Sequence, residues 1–388
     1  MTRTMLAPGY PAARAVAPAI REHFVRLAGA PGSGPSTAVP DVEDIERIVD
    51  AAFWASLRRE EGFVPKISLA LIPPDDAIQP MRFERSMPLT ATALVKVAPA
   101  VERPGIHLGV WRSQGSAASQ GSDIGGELRV WGTARAIARV CFVLEVAAPG
   151  LLVVKHHRGE GGKFVNVAVL EGDSVKVIDE QASTLPDCPD LLTSLLGFET
   201  RGGWDDVNVL VQLAASMRGH NRGGILLVVP TSTEAWRESI VEPVPYAVAP
   251  PFAELAELVA VSGELRDRGW QDALDDAVNA VAGLTAVDGA TVLSDRYELL
   301  AFGAKIARRK GSAQVERVAV TEPIAGGTKA VLHPNRIGGT RHLSSAQFVH
   351  DQRDTIALVA SQDGRFTIFA WSPCEDLVHA HRVEALLL

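Results

Sequence analysis

Apolar and polar positions change their rhythm twice along the chain. Behind Asp41, the residues Ile45, Ile48, Val49, Ala52, Phe53 and Leu57 recur at helical spacing until Gly62 and Pro65, which predicts one amphipathic helix. A shorter helix is expected around 18–27. From Lys66 to about Ala182 the period shortens, and apolar runs at 67–72, 93–97, 106–111, 128–131, 138–146, 151–155, 165–170 and 175–178 read as strands of a β-rich domain with few helices. Beyond Pro186 and Pro189, helices and strands alternate. Residues 205–217 carry Val207, Leu210, Val211, Ala214 and Met217 on one face, and the wholly apolar stretch 225–229 reads as a strand buried on both faces of a sheet. Helices are expected at 251–261 and 272–284, and strands at 290–293, 298–304, 356–360 and 366–371. Hairpin-like pairs make this α/β half a mixed sheet.

Two stretches break the rhythm. Residues 28–40 are dense in Gly, Pro and Ser and read as a flexible linker; residues 113–126 are of low complexity and read as an exposed hairpin loop. The chain therefore divides into an N-terminal arm with linker (1–40), a β-rich domain carrying no recognised motif (41–185) and an α/β domain (205–388). The length of 388 residues agrees with two to three domains.

Composition narrows the function. A net charge of -8 is the wrong sign for a general binder of nucleic-acid backbone, though it leaves room for a local basic pocket that takes a small phosphorylated ligand. Cys141, Cys188 and Cys374 are too few and too scattered for a disulfide framework or a CxxC zinc site, which fits a reducing cytosol. The opening stretch has no apolar core of a secretory leader, and no apolar run approaches the ~20 residues that span a bilayer, so a cytoplasmic protein without membrane association is expected.

Three segments of the α/β half carry candidate chemistry. Asp288-Gly289-Ala290 opens a strand; an Asp-Gly pair is an ordinary turn, but its carboxylate at a sheet edge could also bind a divalent cation or accept a proton from a sugar hydroxyl. Gly338-Gly339-Thr340-Arg341-His342, followed by Leu343-Ser344-Ser345, reads either as a polar loop or as an anion site. In the second reading the glycines admit a close approach, Thr340 and Ser344 donate, and Arg341 with His342 forms a cationic fork. Ser361-Gln362-Asp363-Gly364 joins two strands as a hairpin turn. His156 with His157, and His379 with His381 in an expected terminal helix, read as solvated rather than metal-bound. The basic stretch 305–310 reads as a solvated face that could rim an anionic pocket.

The order of these segments resembles that of the diadenylate cyclase (DAC, DisA_N) domain. The stretch 223–229 (GGILLVV) stands for the family's GALIV strand, 287–293 (VDGATVL) for its DGA motif, 339–342 (GTRH) for its GTRHR motif and 355–361 (TIALVAS) for its closing VVSEE-G hairpin. The resemblance covers roughly 205–371, with a long spacing from DGA to TRH. It implies a three-layer α/β/α domain with a mixed sheet, two such domains meeting face to face as a homodimer, and ATP as ligand. Carried over by position, Asp288 would be the carboxylate, with Mg or Mn accompanying the nucleotide. Gly289 and Ala290 would lie beside the nucleotide, Thr340, Arg341 and His342 would clamp phosphates, and Gly339, Ser344 and Ser361 would complete the nucleotide-binding set.

Two departures decide what the resemblance implies for activity. The family's second arginine is Leu343 here, and the acidic residue after the hairpin serine is Gln362. A guanidinium lost from a triphosphate site removes a charge-assisted contact worth about 1.5–3 kcal/mol, and an amide offers a cation less charge than a carboxylate. Both point to binding without turnover, as in the DAC-like branch named probable sensor domain DACNV. The expectation is a sensor of an adenine nucleotide or cyclic dinucleotide, signalling to an unidentified downstream protein. An active cyclase making cyclic di-AMP, with Lys305, Arg308 or Arg309 replacing the missing charge, and a protein-interaction scaffold are the alternatives.

Overall fold

The computed structural model describes residues 9–29, 39–103, 105–113, 126–135, 137, 140–157, 164–179, 209–261 and 266–388. Most of the expected linker 28–40 and loop 113–126, together with Pro186, Pro189, Asp205 and Val207, lies outside them. The chain divides into two compact units, Met1–Ile178 and Asp179–Leu387. It is a mixed α/β protein with two mixed sheets and, among the described residues, seven α-helices.

The first unit holds helices α1 (Pro11–Ala28), α2 (Val42–Ser56) and α3 (Ala91–Val97). Its strands are β1 (Ser68–Leu71), β2 (Met81–Pro88), β3 (His107–Arg112), β4 (Leu128–Ala134), β5 (Phe142–Ala148), β6 (Leu151–His157), β7 (Phe164–Glu171) and β8 (Ser174–Val177). They form one sheet in the order β2-β4-β3-β1-β5-β6-β7-β8. The sequence reading of 1–40 as an arm is corrected here: α1 buries Val16, Ala17, Ile20 and Phe24 in the same core as Ile45, Ile48 and Val49 of α2. Residues 93–97 are corrected from strand to helix, because Thr90 caps α3 by accepting from Ala93 N at 3.3 Å.

The second unit contains α4 (Val209–Gly219), β9 (Gly224–Val229), β10 (Tyr246–Phe252), α5 (Glu254–Ala260), α6 (Arg268–Leu284), β11 (Ala290–Ser294) and β12 (Leu299–Ala304). It continues with β13 (Val318–Thr321), β14 (Ala330–Leu332), α7 (Thr340–Asp351), β15 (Ile356–Ala360), β16 (Phe366–Ser372) and β17 (Leu377–Arg382). The sheet order is β10-β12-β11-β9-β15-β16-β17-β13-β14. All six residues of β9 are buried, as a run without polar positions requires of a central strand. Residues 377–382 are a strand, not the expected helix, and His379 and His381 are buried rather than solvated. Alternation along β17 turns both histidines to one face, a period-2 signal that two histidines among small apolar residues obscure.

The two sheets follow one plan. In each, a helix precedes a central strand (β1 or β9) that pairs parallel with the third strand of its unit (β3 or β11). That strand pairs antiparallel with the fourth (β4 or β12), and the second (β2 or β10) closes the edge through an irregular register. On the other side an antiparallel meander (β5-β6-β7 or β15-β16-β17) completes seven matching strands. The units part at one connection. Residues 135–141 join β4 directly to β5, whereas residues 305–355, carrying β13, β14 and α7, separate β12 from β15.

Candidate functional site

That inserted segment builds one wall of a cavity of about 510 Å³ in the second unit. The cavity is lined by Asp288, Gly289 and Ala290 at the start of β11, by Ala304, Lys305 and Ile306 at the end of β12, by Gly339, Thr340, Arg341, His342 and Ser344 at the start of α7, by Ala360 and Ser361 after β15, and by Ile225 in β9. Register explains the convergence. Ala290 lies opposite both Ile225 and Ala304, and Ala360 lies opposite Gly224, so these segments share one end of the sheet. All nine residues named from the sequence are brought into this one cavity.

Glycines set its close approaches. Gly289 has φ 110°, and a Cβ there would lie 2.5 Å from the carbonyl carbon of Gly303. The two glycines of the GGT motif serve different ends. A Cβ on Gly338 would lie 2.3 Å from Nδ1 of His342, so this glycine makes room for the imidazole, whereas a Cβ on Gly339 would meet nothing within 4 Å. Gly339 is the N-cap of α7, without a side-chain cap and without an acidic residue in the first turn. The expected loop is thus a helix start whose leading N–H groups and positive dipole end are available to an anion.

Arg341 is exposed, and its guanidinium lies beside Gly223, the residue before β9: Nη1 is 3.1 Å from where a Cβ of Gly223 would be. Lys305, also exposed, lines the same cavity, its carbonyl held by Val241 N at 2.8 Å. Arg309 is turned elsewhere, to Glu238 at 2.6 Å, and neither it nor Arg308 lines the cavity.

His342 corrects the expected cationic fork. It is 4% exposed, its ring packs edge-on against Phe369, and Nε2 lies 3.3 Å from Thr367 Oγ1. Burial pushes its pKa below the ordinary histidine value, with Arg382, Arg365 and Arg341 acting in the same direction and Asp363 against them. At pH 7 the ring is neutral, so the cationic charge of this motif belongs to Arg341 alone. Ser344 turns its hydroxyl back to the Arg341 carbonyl at 3.1 Å. The Ser361 hydroxyl bonds Asp363, which holds that carboxyl below its usual range. Asp288 is exposed at the cavity edge. Leu343, in the place of the second arginine, packs against the core and does not line the cavity. The sequence reading missed Ile225, Ala304, Ile306 and Ala360, small or apolar walls whose part depends on strand register.

Comparison with known proteins adds one family. Residues 34–135 match the family described as probable sensor domain DACNV. This is the family to which the resemblance pointed, and the match spans α2 to β4 of the first unit, whereas the quoted motifs lie in the second. No curated protein matches. Among solved structures, the chain is similar to a hypothetical membrane spanning protein from Bacillus cereus, at 13% identity and a TM-score of 0.25. That similarity covers 44% of this chain and 61% of the other, so the chain spans less than two thirds of that protein. No helix among the described residues is long and apolar enough to cross a membrane.

Proposed function

We propose that the chain is a sensor whose second unit binds an adenine nucleotide or a cyclic dinucleotide by its phosphates. The observation that carries this reading is the convergence, in one cavity, of the uncapped start of α7, the Arg341 guanidinium and Lys305. A helix N-terminus supplies directed N–H donors, an arginine supplies a planar fork and a lysine a point charge, the set that phosphate oxygens require. The match of the first unit to a sensor family supports the sensing role. The finer reading of the second unit as a three-layer DAC-like domain, paired as a homodimer, belongs to the same proposal.

Asp288 offers one carboxylate oxygen set to a Mg or Mn ion that arrives with the phosphates. The ion would neutralise phosphate charge, while Arg341 and the α7 N–H groups hold the oxygens on the other side. The same placement of Asp288 favours a second reading, a diadenylate cyclase in which this carboxylate stands beside the ribose hydroxyl. Leu343 weighs against it, since its side chain is committed to the core.

Thermal-shift measurements with ATP, ADP, cyclic di-AMP and related nucleotides test the proposal. A ligand at one hundred times its Kd stabilises by about 2.7 kcal/mol, and Arg341→Ala is expected to weaken binding by about 10- to 100-fold. The absence of any shift, or a shift untouched by Arg341→Ala, would leave the scaffold reading in its place. Formation of cyclic di-AMP from ATP and Mn²⁺ at enzyme-like turnover, abolished in Asp288→Asn, would replace sensing by catalysis.

A further inference from the structure

We propose that Gly223 and Thr367 are positioning residues of the phosphate site, which act through Arg341 and His342 by seating the first turn of α7 on the sheet before any ligand arrives. The inference rests on the phosphate reading given above. Arg341 and His342 are neighbours in that turn and both line the cavity, yet they meet the sheet at separate points. Arg341 meets it at Gly223. A Cβ on Gly223 would lie 3.1 Å from Arg341 Nη1, 3.3 Å from Arg341 Cζ and 3.3 Å from the Ala360 carbonyl oxygen, so the guanidinium rests where any other residue would place a methyl or methylene group. The backbone there, at φ 72°, also favours glycine.

His342 meets the sheet at Thr367. Its Nε2 lies 3.3 Å from Oγ1 of Thr367, a buried residue of β16, and its ring packs edge-on against Phe369, two residues on and on the same face of that strand. Gly338 closes in on Nδ1, where its own Cβ would lie 2.3 Å away. The buried, neutral imidazole thus ties the turn to β16 without bringing a charge to it. Such seats matter for affinity because an arginine free to sample many rotamers loses that freedom when it grips a ligand, whereas one already held by its surroundings loses less. The N–H groups of α7 benefit in the same way, since their direction is set by the turn that His342 fastens.

Calorimetric titration of the full chain with ATP and with inorganic tripolyphosphate, each without divalent metal, tests the assignment. Gly223→Ala is expected to weaken both ligands about fivefold or more, because the flexible end of Arg341 must yield to the added methyl group. Gly326→Ala is the control: φ 76° imposes similar backbone strain, but a Cβ there meets nothing within 4 Å, and binding within about twofold of the parent is expected. Arg341→Lys removes the planar fork that the seat receives, so Gly223→Ala added to Arg341→Lys should cost little more, the signature of one residue acting through another. Thr367→Val keeps the shape without the hydroxyl and is expected to weaken both ligands about threefold or more, whereas Thr367→Ser, which keeps the hydroxyl, should bind within about twofold of the parent. Where Gly223→Ala lowers the melting temperature of the unliganded chain, the two Thr367 variants decide. If Gly223→Ala weakens binding no more than Gly326→Ala, if Thr367→Val binds as the parent does, or if Thr367→Ser is as weak as Thr367→Val, the seat falls, and the phosphate reading stands as long as Arg341→Ala is weakened. If the parent chain binds neither ligand nor any nucleotide, both fall.

Discussion

Gly289 and Gly364 both sit at positive φ, 110° and 82°, yet only one is enclosed. A Cβ at Gly289 would press within 3 Å of three backbone atoms of Gly303 and Ala304, whereas at Gly364 it would meet nothing within 4 Å. Left-handed backbone alone costs an L-residue about 1–2 kcal/mol, and a backbone clash adds movement of β12 to that cost. Gly289→Ala is therefore expected to lose about 3 kcal/mol or more in urea unfolding and to open the cavity wall, while Gly364→Ala loses about 1 kcal/mol. Equal losses would overturn this account. The same residues show why the site was legible in sequence: an Asp-Gly pair, a Gly-Gly-Thr and an Arg announce turns, close approaches and charge without reference to distant residues. His342 was misread because its charge depends on burial against Phe369, which no local pattern reports.

The helix α7, whose N-terminus lines the cavity, is held at its other end by a single buried carboxylate. Asp351 accepts from Arg309 N and Gln347 Nε2 at 2.9 Å each, from His350 Nδ1 at 3.1 Å and from the Ser312 hydroxyl. Gln347 extends the same network to Val315 N at 2.9 Å and the Ala313 carbonyl at 3.0 Å. The segment that follows Lys305 is thereby clasped to the helix that carries Arg341. Asp351→Ala would strand several buried donors and is expected to cost about 2–4 kcal/mol. Its specific mark is faster amide hydrogen exchange at Arg309 and Val315, without change in the β9 core; uniform loosening of the unit would refute the clasp. Such long-range pairing also explains which elements the sequence reading found. The central strands β9, β11 and β15 and the helices α2 and α6 carry clean periodicity. The strand β2, the edge strands β10 and β14, and the short β13 do not, and α7 is obscured because its buried residues include His342, Ser345, Gln347 and Asp351 alongside Ala346, Phe348 and Val349.

At the scale of the whole chain, two units built on one seven-stranded plan raise the question of whether the proposed phosphate site has a counterpart in the first unit. The row of the second sheet that floors the cavity is Ile225, Ala290 and Ala304, which are small or apolar and leave room above them. In the first sheet the matching row, one step before the Leu69–Leu108 pair, is Ser68, His107 and Ala134. Ser68 Oγ and His107 Nδ1 meet at 2.6 Å, and both residues are buried. Burial pushes the His107 pKa down to about 4, Glu145 opposing and His157 and Lys155 assisting, so the imidazole is neutral at pH 7 and offers no cation. More decisively, residues 135–141 are too few to hold a counterpart of α7, and with that helix go the N-terminal N–H groups and the arginine in its first turn. Among its described residues, the unit that matches the sensor family thus has the plan of the sheet without counterparts of the parts proposed to hold phosphate. Calorimetric titration of the full chain with the best-binding mononucleotide is expected to give one site per chain, eliminated entirely by Arg341→Ala. A stoichiometry of two, or a second binding phase that survives Arg341→Ala, would show that the first unit holds a phosphate site of its own and that the inserted segment is not what makes one.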